Sequence, residues 1–395
     1  MVLRIGVAGA GSRAELATYI SRFGAEIVAV ADPTPRGEER ARELFGTSVA
    51  VVPDHRALAA FDLDAVFVLT PDHTHADVAV DLLEAGIPVY LEKPIATRLD
   101  DADRILDAAH RTRTRLAIGH NMRHMPMVRL LKELIDRGTI GEVKTIWCRH
   151  FIGHGGDFYF KDWHAESEKT TGLLLQKGAH DIDVIHWLAG AASTDVVAMG
   201  DLMVYGGIED RRDNSDRMMG TLASYDNWPP LAQTELNPVI DIEDVSLMTM
   251  RLDNGVLATY QQCAFAPDYW RNYTVIGTEG RLENFGDSDG GIVRLWNRRS
   301  EYNGQGDADF EIPLGDGTHG GADVAIVEEF LGFLRGERTL ETSPVAARDS
   351  VAAGIAATTS IRSGAAPQRV VELDPAIRAY FDGGQLDAAV RMGRG

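Results

Sequence analysis

Residues 5–14 read Ile-Gly-Val-Ala-Gly-Ala-Gly-Ser-Arg-Ala, and no other stretch constrains the fold as tightly. Val2 to Ala8 is an apolar run with a β-branched bias, as a strand buried in a parallel sheet requires. Gly9-Ala10-Gly11-Ser12-Arg13-Ala14 then fits the pattern G-x-G-x-x-[GA]. Gly9 permits a tight turn, Gly11 has no Cβ to hold a pyrophosphate away, and Ala14 lets the following helix pack close. The start of that helix offers free N–H groups and a positive dipole end. A second apolar run, Glu26 to Ala31, ends at Asp32. A carboxylate there can accept from both ribose hydroxyls of an adenosine and repels a 2′-phosphate. Strand, glycine turn, helix and acid in this order predict a dinucleotide site made by Gly9, Gly11, Ser12, Arg13 and Asp32. They favour NAD over NADP. A glycine-rich turn in some other α/β protein is the bland reading of the same residues.

The rest of the first 120 residues alternates strand and helix. A charged helix spans 35–45, a short strand 48–52, and Asp54 is placed to cap a helical turn. Strands follow at 65–70, 88–92 and 115–119, with helices at 74–84 and from Asp100 or Asp101 to 113. Repeated βα units with right-handed crossovers predict a doubly wound parallel sheet of order 3-2-1-4-5-6. After Asn121 the pattern changes. An amphipathic helix at 125–137 and an alternating strand at 142–152 lead to a loop of glycine, histidine and aromatics. Residues 172–188 read as one helix. From Asp195 the spacing is that of an antiparallel sheet, with Asp253-Asn254-Gly255 as a hairpin signal. Two helices, 323–334 and 344–362, are expected to close this second domain. Residues 203–241 are irregular and read as an insertion or contact arm. The expected division is 1–122, a Rossmann domain; 123–373, a substrate-binding and oligomerisation domain; and 374–395, a tail that docks on a neighbour.

A length of 395 residues suits two such domains. The 59 acidic residues outnumber the 39 basic ones, for a net charge of −20, which argues against nucleic acid or an anionic membrane as partner. Two cysteines, Cys148 and Cys263, without paired spacing point to a reducing compartment, here expected to be the cytoplasm. The sequence contains no signal-peptide pattern and no apolar run long enough to span a bilayer.

Three constellations can carry chemistry. Thr70-Pro71-Asp72-His73-Thr74-His75 and Glu92-Lys93-Pro94 end two strands at the carboxyl edge, where ligands of such sheets bind. Thr70 and Pro71 would line the cofactor cleft, with His75 either beside them or only starting a helix. Lys93 there can stabilise a developing alkoxide or relay a proton, and Glu92 can fix the lysine or bond the cofactor. A surface ion pair before a turn is the alternative. On the 172–188 helix, spacing puts Gln176, His180 and Asp183 on one face and Leu175, Ala179, Ile182 and Ile185 on another. A solvated face would look similar, but a histidine there suits a general base. Finally, Phe158, Tyr159, Phe160 and Trp163 can form either a stacking wall for a sugar ring or core under a loop. His150, His154, His164 and Asp157 match no compact ligand spacing, so no metal site is expected.

Taken jointly, these segments resemble the Gfo/Idh/MocA family of NAD(P)-dependent oxidoreductases. The matching pieces are the glycine loop at 9–14, Thr70-Pro71 with His75, Glu92-Lys93-Pro94, Gly119-His120-Asn121-Met122-Arg123, and 172–188 followed by Gly190. The resemblance implies an α/β fold: a Rossmann domain and then an α+β domain with an open, mainly antiparallel sheet. It implies that Lys93 and His180 contact the reacting hydroxyl. Within the matched segments Thr70, Pro71, His75, Glu92, Lys93 and Asn121 are expected to contact the cofactor, and Arg123, Gln176 and His180 the substrate; Lys177, and Tyr159 and Trp163 of the aromatic loop, are expected to contact the substrate as well. The resemblance also implies a homodimer or homotetramer formed through the outer face of the second sheet. One position departs from the family: Gln176 stands where dehydrogenase members carry Asp four residues before the helix histidine. Unless Asp181 or Asp183 substitutes, His180 loses an electrostatic partner, and Lys177 adds a cation. The expected function is NAD-dependent hydride transfer at a hydroxyl carbon of a sugar, polyol or sugar derivative. The alternatives are an NAD-dependent glycosidase working through a transient keto-sugar, and a non-catalytic NAD-binding regulator.

Overall fold

The computed structural model describes residues 2–315 and 318–385. They form two compact units, one of residues 2–121, 323–348 and 372–385, the other of 122–322 and 349–371. Among the described residues no helix is long and apolar enough to cross a membrane.

The first unit is built on six strands: β1 (Leu3–Ala8), β2 (Ala25–Ala31), β3 (Ala50–Val52), β4 (Ala65–Val68), β5 (Val89–Leu91) and β6 (Leu116–Ile118). All pair in parallel in the order β3-β2-β1-β4-β5-β6, the order expected from the βα alternation. The order reverses between β1 and β4, which makes a crevice at their carboxyl ends. The segment after the glycine turn, Ser12–Phe23, winds as a 3₁₀ helix that ends at Gly24 in the left-handed region. The helix Pro35–Phe45 begins on a Thr34 cap, with Pro35 at its first position.

The core of this unit joins Ile5, Val7, Leu16, Ile20, Phe67 and Tyr90 to Ile326, Val327, Phe330 and Leu331. The last four lie on the helix Ala322–Arg335 at i, i+1, i+4 and i+5, which puts them on one stripe. Phe67 stacks on Tyr90 at 4.6 Å between centroids, and Phe330 meets the edge of Phe67 at 5.3 Å. The sequence reading assigned this helix to the second domain; its apolar stripe instead covers the first sheet. The stretch read as a docking tail also differs. Asp374 caps a helix, Pro375–Asp382, and the Gln385 amide donates to Leu116 O and accepts from Leu116 N. Residues 386–395 of that expected tail lie outside the described residues.

The second unit holds nine strands: β7 (Val143–Phe151), β8 (Ser193–Asp201), β9 (Val245–Leu252), β10 (Leu257–Cys263), β11 (Trp270–Gly277), β12 (Arg281–Phe285), β13 (Ile292–Trp296), β14 (Ala308–Glu311) and β15 (Gln368–Arg369). Their order is β14-β13-β12-β11-β7-β10-β9-β8-β15, and every neighbouring pair is antiparallel except β7 with β10. β9 alternates buried and exposed residues along its length, as a sheet covered on one face must. Met248, Met250, Ile146, Val275 and Leu282 point into a core shared with Leu131, Ile182, Ile185 and Ala353 from the covering helices. Trp147, Met199, Leu247 and Leu257 remain exposed. The Asn-Gly hairpin is present, with Gly255 at φ +86° and Asn254 Oδ1 accepting from Val256 N.

Residues 203–241 carry three short 3₁₀ turns. They fold onto the aromatic loop around the buried carboxylate of Asp157. It accepts from Asn227 Nδ2 at 2.7 Å, Gln233 Nε2 at 3.1 Å and Ser224 N at 3.2 Å, and pairs with Lys161 at 3.2 Å. Tyr205, Leu236 and Ile242 complete a small core with Tyr159 and Phe160.

Candidate active site

In the first unit the glycine turn follows β1. Gly9 sits at φ +92°, and a Cβ there would come within 2.8 Å of Leu69 O and Thr70 N, so two restraints demand glycine. A Cβ on Gly11 would stand in open space, which is where a bulky anion reaches the backbone. Ala14 is fully buried and Ser12 is exposed.

Asp32 is held at the end of β2. Its Oδ2 accepts from Ala10 N at 2.9 Å, and its Oδ1 from Thr34 N at 2.9 Å and Thr34 Oγ1 at 2.7 Å. A carboxylate has about four acceptor directions, so Oδ2 keeps one for a ligand hydroxyl. The close seat depends on Gly37, whose Cβ would fall 2.0 Å from the Asp32 carboxyl carbon.

At the next strand end Thr70 Oγ1 is buried without a protein partner among the described residues. Pro71 is exposed. His75 is fully buried, and its ring nitrogens face Pro94 O at 2.8 Å and Thr70 O at 3.0 Å. It ties two strand ends together and is used up inside the fold. Glu92 accepts from Lys93 N at 2.6 Å and from Arg13 Nε at 2.5 Å. Arg13, expected among the cofactor contacts, is thereby engaged by the protein. Its other nitrogens donate to Asp323 at 2.9 and 2.7 Å. Asp323 also accepts from Asn121 Nδ2 at 2.7 Å, while Asn121 Oδ1 is buried with no partner among the described residues. Burial works against the Arg13 charge, but Glu92 and Asp323 more than offset it and raise its pKa well above the usual value. Sequence reading missed Asp323, because it lies 310 residues from Arg13.

The dinucleotide is tested by this arrangement. The open space over Gly11, the spare acceptor direction of Asp32 and the orphaned Thr70 Oγ1 and Asn121 Oδ1 all fit a polar nucleotide cofactor.

In the second unit the stretch read as one helix is two: Leu173–Gln176 and Gly178–Ala189, parted at Lys177. Gly178 lets the second helix approach β10, since a Cβ would meet the Tyr260 ring at 3.0 Å. The polar face is not solvated. Gln176, His180, Asp181 and Asp183 are all buried. Asp183 accepts from Arg123 Nε at 2.8 Å and Nη2 at 2.6 Å, so Arg123, expected to bind substrate, orders this helix. The Arg123 guanidinium also lies 5.5 Å from the Trp187 ring centroid.

Asp181 is the centre of a buried polar cluster. Tyr273 donates to it at 2.5 Å and Tyr260 at 3.1 Å; His150 Nδ1 lies 3.0 Å away and Arg271 Nε 3.1 Å away. Burial alone pushes this carboxyl up, but Arg271, His150 and Tyr273 together hold it well below the ordinary range. His150 is lowered to about 3 by burial and by Arg271, so it is neutral. Both acids proposed as stand-ins for the missing family aspartate are thus bound by arginines. Sequence reading missed Arg271, because its partner Asp181 lies far from it in the chain.

Lys177 places its ammonium 5.6 Å from the Tyr159 ring centroid and 6.0 Å from that of Tyr269. Trp163, half-buried, stacks on His164 at 3.7 Å. The histidines considered as metal ligands face separate carboxylates: His150 faces Asp181, His154 faces Asp157, and His164 faces Asp162.

Comparison with known proteins agrees with this anatomy. Residues 3–120 match the model of the oxidoreductase family's NAD-binding Rossmann fold, and residues 132–372 match its C-terminal alpha/beta domain. The chain is 28% identical over 238 residues to an inositol 2-dehydrogenase of Rhizobium meliloti, covering 59% of this chain and 66% of the relative. It is 33% identical over 207 residues to an inositol 2-dehydrogenase of Burkholderia lata, covering 50% and 58%. Among solved structures, levoglucosan dehydrogenase in complex with NADH and levoglucosan superposes with a TM-score of 0.76 at 17% identity, covering 94% of this chain and 100% of that one. The myo-inositol 2-dehydrogenase of Lactobacillus plantarum gives 0.70 at 17%, again covering 94% and 100%. At such identities the structures speak for the fold, and the two family models account for the function class: this chain is an oxidoreductase of the Gfo/Idh/MocA family.

Proposed function

We propose that this oxidoreductase moves a hydride between a hydroxyl carbon of a sugar, polyol or sugar derivative and NAD. The carrying observation is the Glu92-Lys93 turn at the carboxyl end of β5, fixed through Arg13 and accompanied by Thr70 Oγ1 and Asn121 Oδ1, which have no partner among the described residues. Gly9, Gly11 and Ser12 would admit the pyrophosphate, and Asp32 would accept a ribose hydroxyl and repel a 2′-phosphate. When bound, NAD supplies the hydride acceptor. Lys93 stabilises the negative charge that develops on the substrate oxygen. His180, buried beside the Lys177 cation in sequence, takes the hydroxyl proton as hydride leaves the carbon. Half-buried Trp163 would border the sugar and Lys177 would offer a charge to its oxygens, whereas Tyr159, expected as part of a stacking wall, lies in the small core under the Lys177 ammonium. Similarity to inositol 2-dehydrogenases supports a carbohydrate or polyol substrate.

The test is a panel of polyols and aldoses with NAD and NADP, followed by absorbance of the reduced cofactor. Turnover of at least one such substrate, with higher kcat/KM for NAD, is expected. A second reading rests on Gln176 and Lys177. The altered proton partner suits a cycle in which the hydroxyl is oxidised to a transient ketone, the glycosidic substituent leaves as a neighbouring C–H proton is removed, water adds to the resulting C=C bond, and the NADH formed in the first step reduces the ketone again. Product release without net NADH would select it. Self-association through the open face of the second sheet, as a dimer or tetramer, is supported by exposed Trp147, Met199, Leu247 and Leu257.

A further inference from the structure

We propose that the Arg13–Glu92–Asp323 cluster is an electrostatic selector that favours oxidised over reduced nicotinamide, with Asp323 as its adjustable charge. The inference rests on the reading of the Glu92-Lys93 turn as the nicotinamide end of the cofactor site. Three observations carry it. First, one guanidinium faces two carboxylates at 2.5 to 2.9 Å, so the ionised cluster holds a net charge of one negative. Both acids are buried, with side chains 6% and 2% exposed for Glu92 and Asp323, so solvent screens them weakly. Second, the cluster is joined to the turn itself, because Glu92 Oε2 accepts from Lys93 N. Third, Asp323 pins Asn121 Nδ2 and thereby fixes a buried Oδ1 that has no partner among the described residues. A buried acceptor left in that state is costly unless a ligand donor reaches it, and a carboxamide N–H is such a donor.

The oxidised nicotinamide ring carries a positive charge and the reduced ring carries none. A fixed negative cluster nearby therefore stabilises the oxidised form selectively, whereas phosphate and ribose contacts are the same in both. The Lys93 ammonium acts on both forms in every variant below, so a change in their ratio belongs to the cluster.

The experiment is calorimetry of NAD+ and NADH binding to the full chain, with thermal unfolding as a control. Asp323→Asn keeps shape and an acceptor but removes the charge. Its ratio Kd(NAD+)/Kd(NADH) is expected to rise about tenfold. Asp323→Glu should keep the parental ratio. Arg13→Gln makes the cluster more negative and should lower the ratio. A ratio within twofold of the parent in Asp323→Asn, at unchanged Tm, overturns the proposal. If Asp323→Asn does not fold, Arg13→Gln decides, and an unchanged or raised ratio overturns it. Failure of the parent to bind either form defeats the cofactor reading and this inference together; tight binding with an unmoved ratio defeats only the inference.

Discussion

Arg271 Nε lies 3.1 Å from Asp181 Oδ1, and both side chains are withdrawn from solvent. The pair links β11 to the helix that carries His180. Two tyrosine hydroxyls and His150 fill out the Asp181 acceptor directions. Such a charge pair adds little net stability over apolar residues of the same volume, yet removing one member strands the other. Arg271→Met is therefore expected to cost about 3–5 kcal/mol in urea unfolding. Adding Asp181→Leu should recover part of that loss. A single variant within 1 kcal/mol of the parent would show that Asp181 is not sustained by this arginine.

The same cluster sets a pH dependence of stability. His150 is lowered to about 3 by burial and Arg271, and His186 to about 4 by burial, with Arg123 adding to it. In the unfolded chain both return to the ordinary value near 6.5. Between these values the unfolded state binds more protons, so stability rises with pH. The contribution is fully present above pH 6.5 and is lost progressively as pH falls toward 4 and then 3. Each histidine adds a slope of at most about 1.4 kcal/mol per pH unit. His186→Asn and His150→Asn should each flatten the stability curve below pH 6.5 relative to the parent. Parallel curves for parent and variant would show that the replaced ring is not buried neutral.

The first sheet was legible because its strands are short apolar runs separated by helices, and right-handed crossovers leave few orders. Local chemistry was equally readable where partners are near in sequence. The helix from Pro35 forms where it was expected, Asp54 caps its turn through Arg56 N, and Asn254-Gly255 closes a hairpin. The site was half-legible. Gly9, Asp32, Glu92 and Lys93 announce themselves by position. Asp323 and Arg271 do not, since their meaning lies in partners that folding brings together. The helix from Asp323 shows a clear apolar stripe, but a stripe does not say which sheet it covers. Arg13, expected to contact the cofactor, and Arg123, expected to contact the substrate, are instead held by carboxylates of the protein that lie far from them in sequence.

For the reaction, Lys93 and His180 should separate by which kinetic step they affect. Lys93→Ala removes a charge that acts on the developing alkoxide, so kcat is expected to fall about a hundredfold or more while Kd for NAD stays within a few fold. His180→Ala should slow hydride transfer in single turnover without changing cofactor affinity. Stopped-flow at the nicotinamide absorbance, with calorimetry beside it, reads both. Near-parental kcat in Lys93→Ala would make the Glu92-Lys93 turn a structural feature only.

Gly37 offers a sharper test of Asp32 than replacing the acid itself. Glycine within a helix costs roughly 0.5–1 kcal/mol relative to alanine, so Gly37→Ala on an ordinary helix would stabilise it. Here the added Cβ would fall 2.0 Å from Asp32 Cγ and 2.1 Å from its Oδ1. Such overlap forces the carboxylate to turn, and its bonds to Ala10 N and Thr34 cannot survive that turn together. The expected result is a helix at least as stable by its own propensity, with NAD affinity reduced about tenfold, the loss of one charge-assisted hydrogen bond. NADP affinity should fall less, because the group that repels a 2′-phosphate has moved away. Calorimetry with both dinucleotides measures the two numbers. An unchanged NAD affinity in Gly37→Ala would mean that Asp32 serves only to hold the glycine turn to the start of the next helix, and the preference for NAD would need another source.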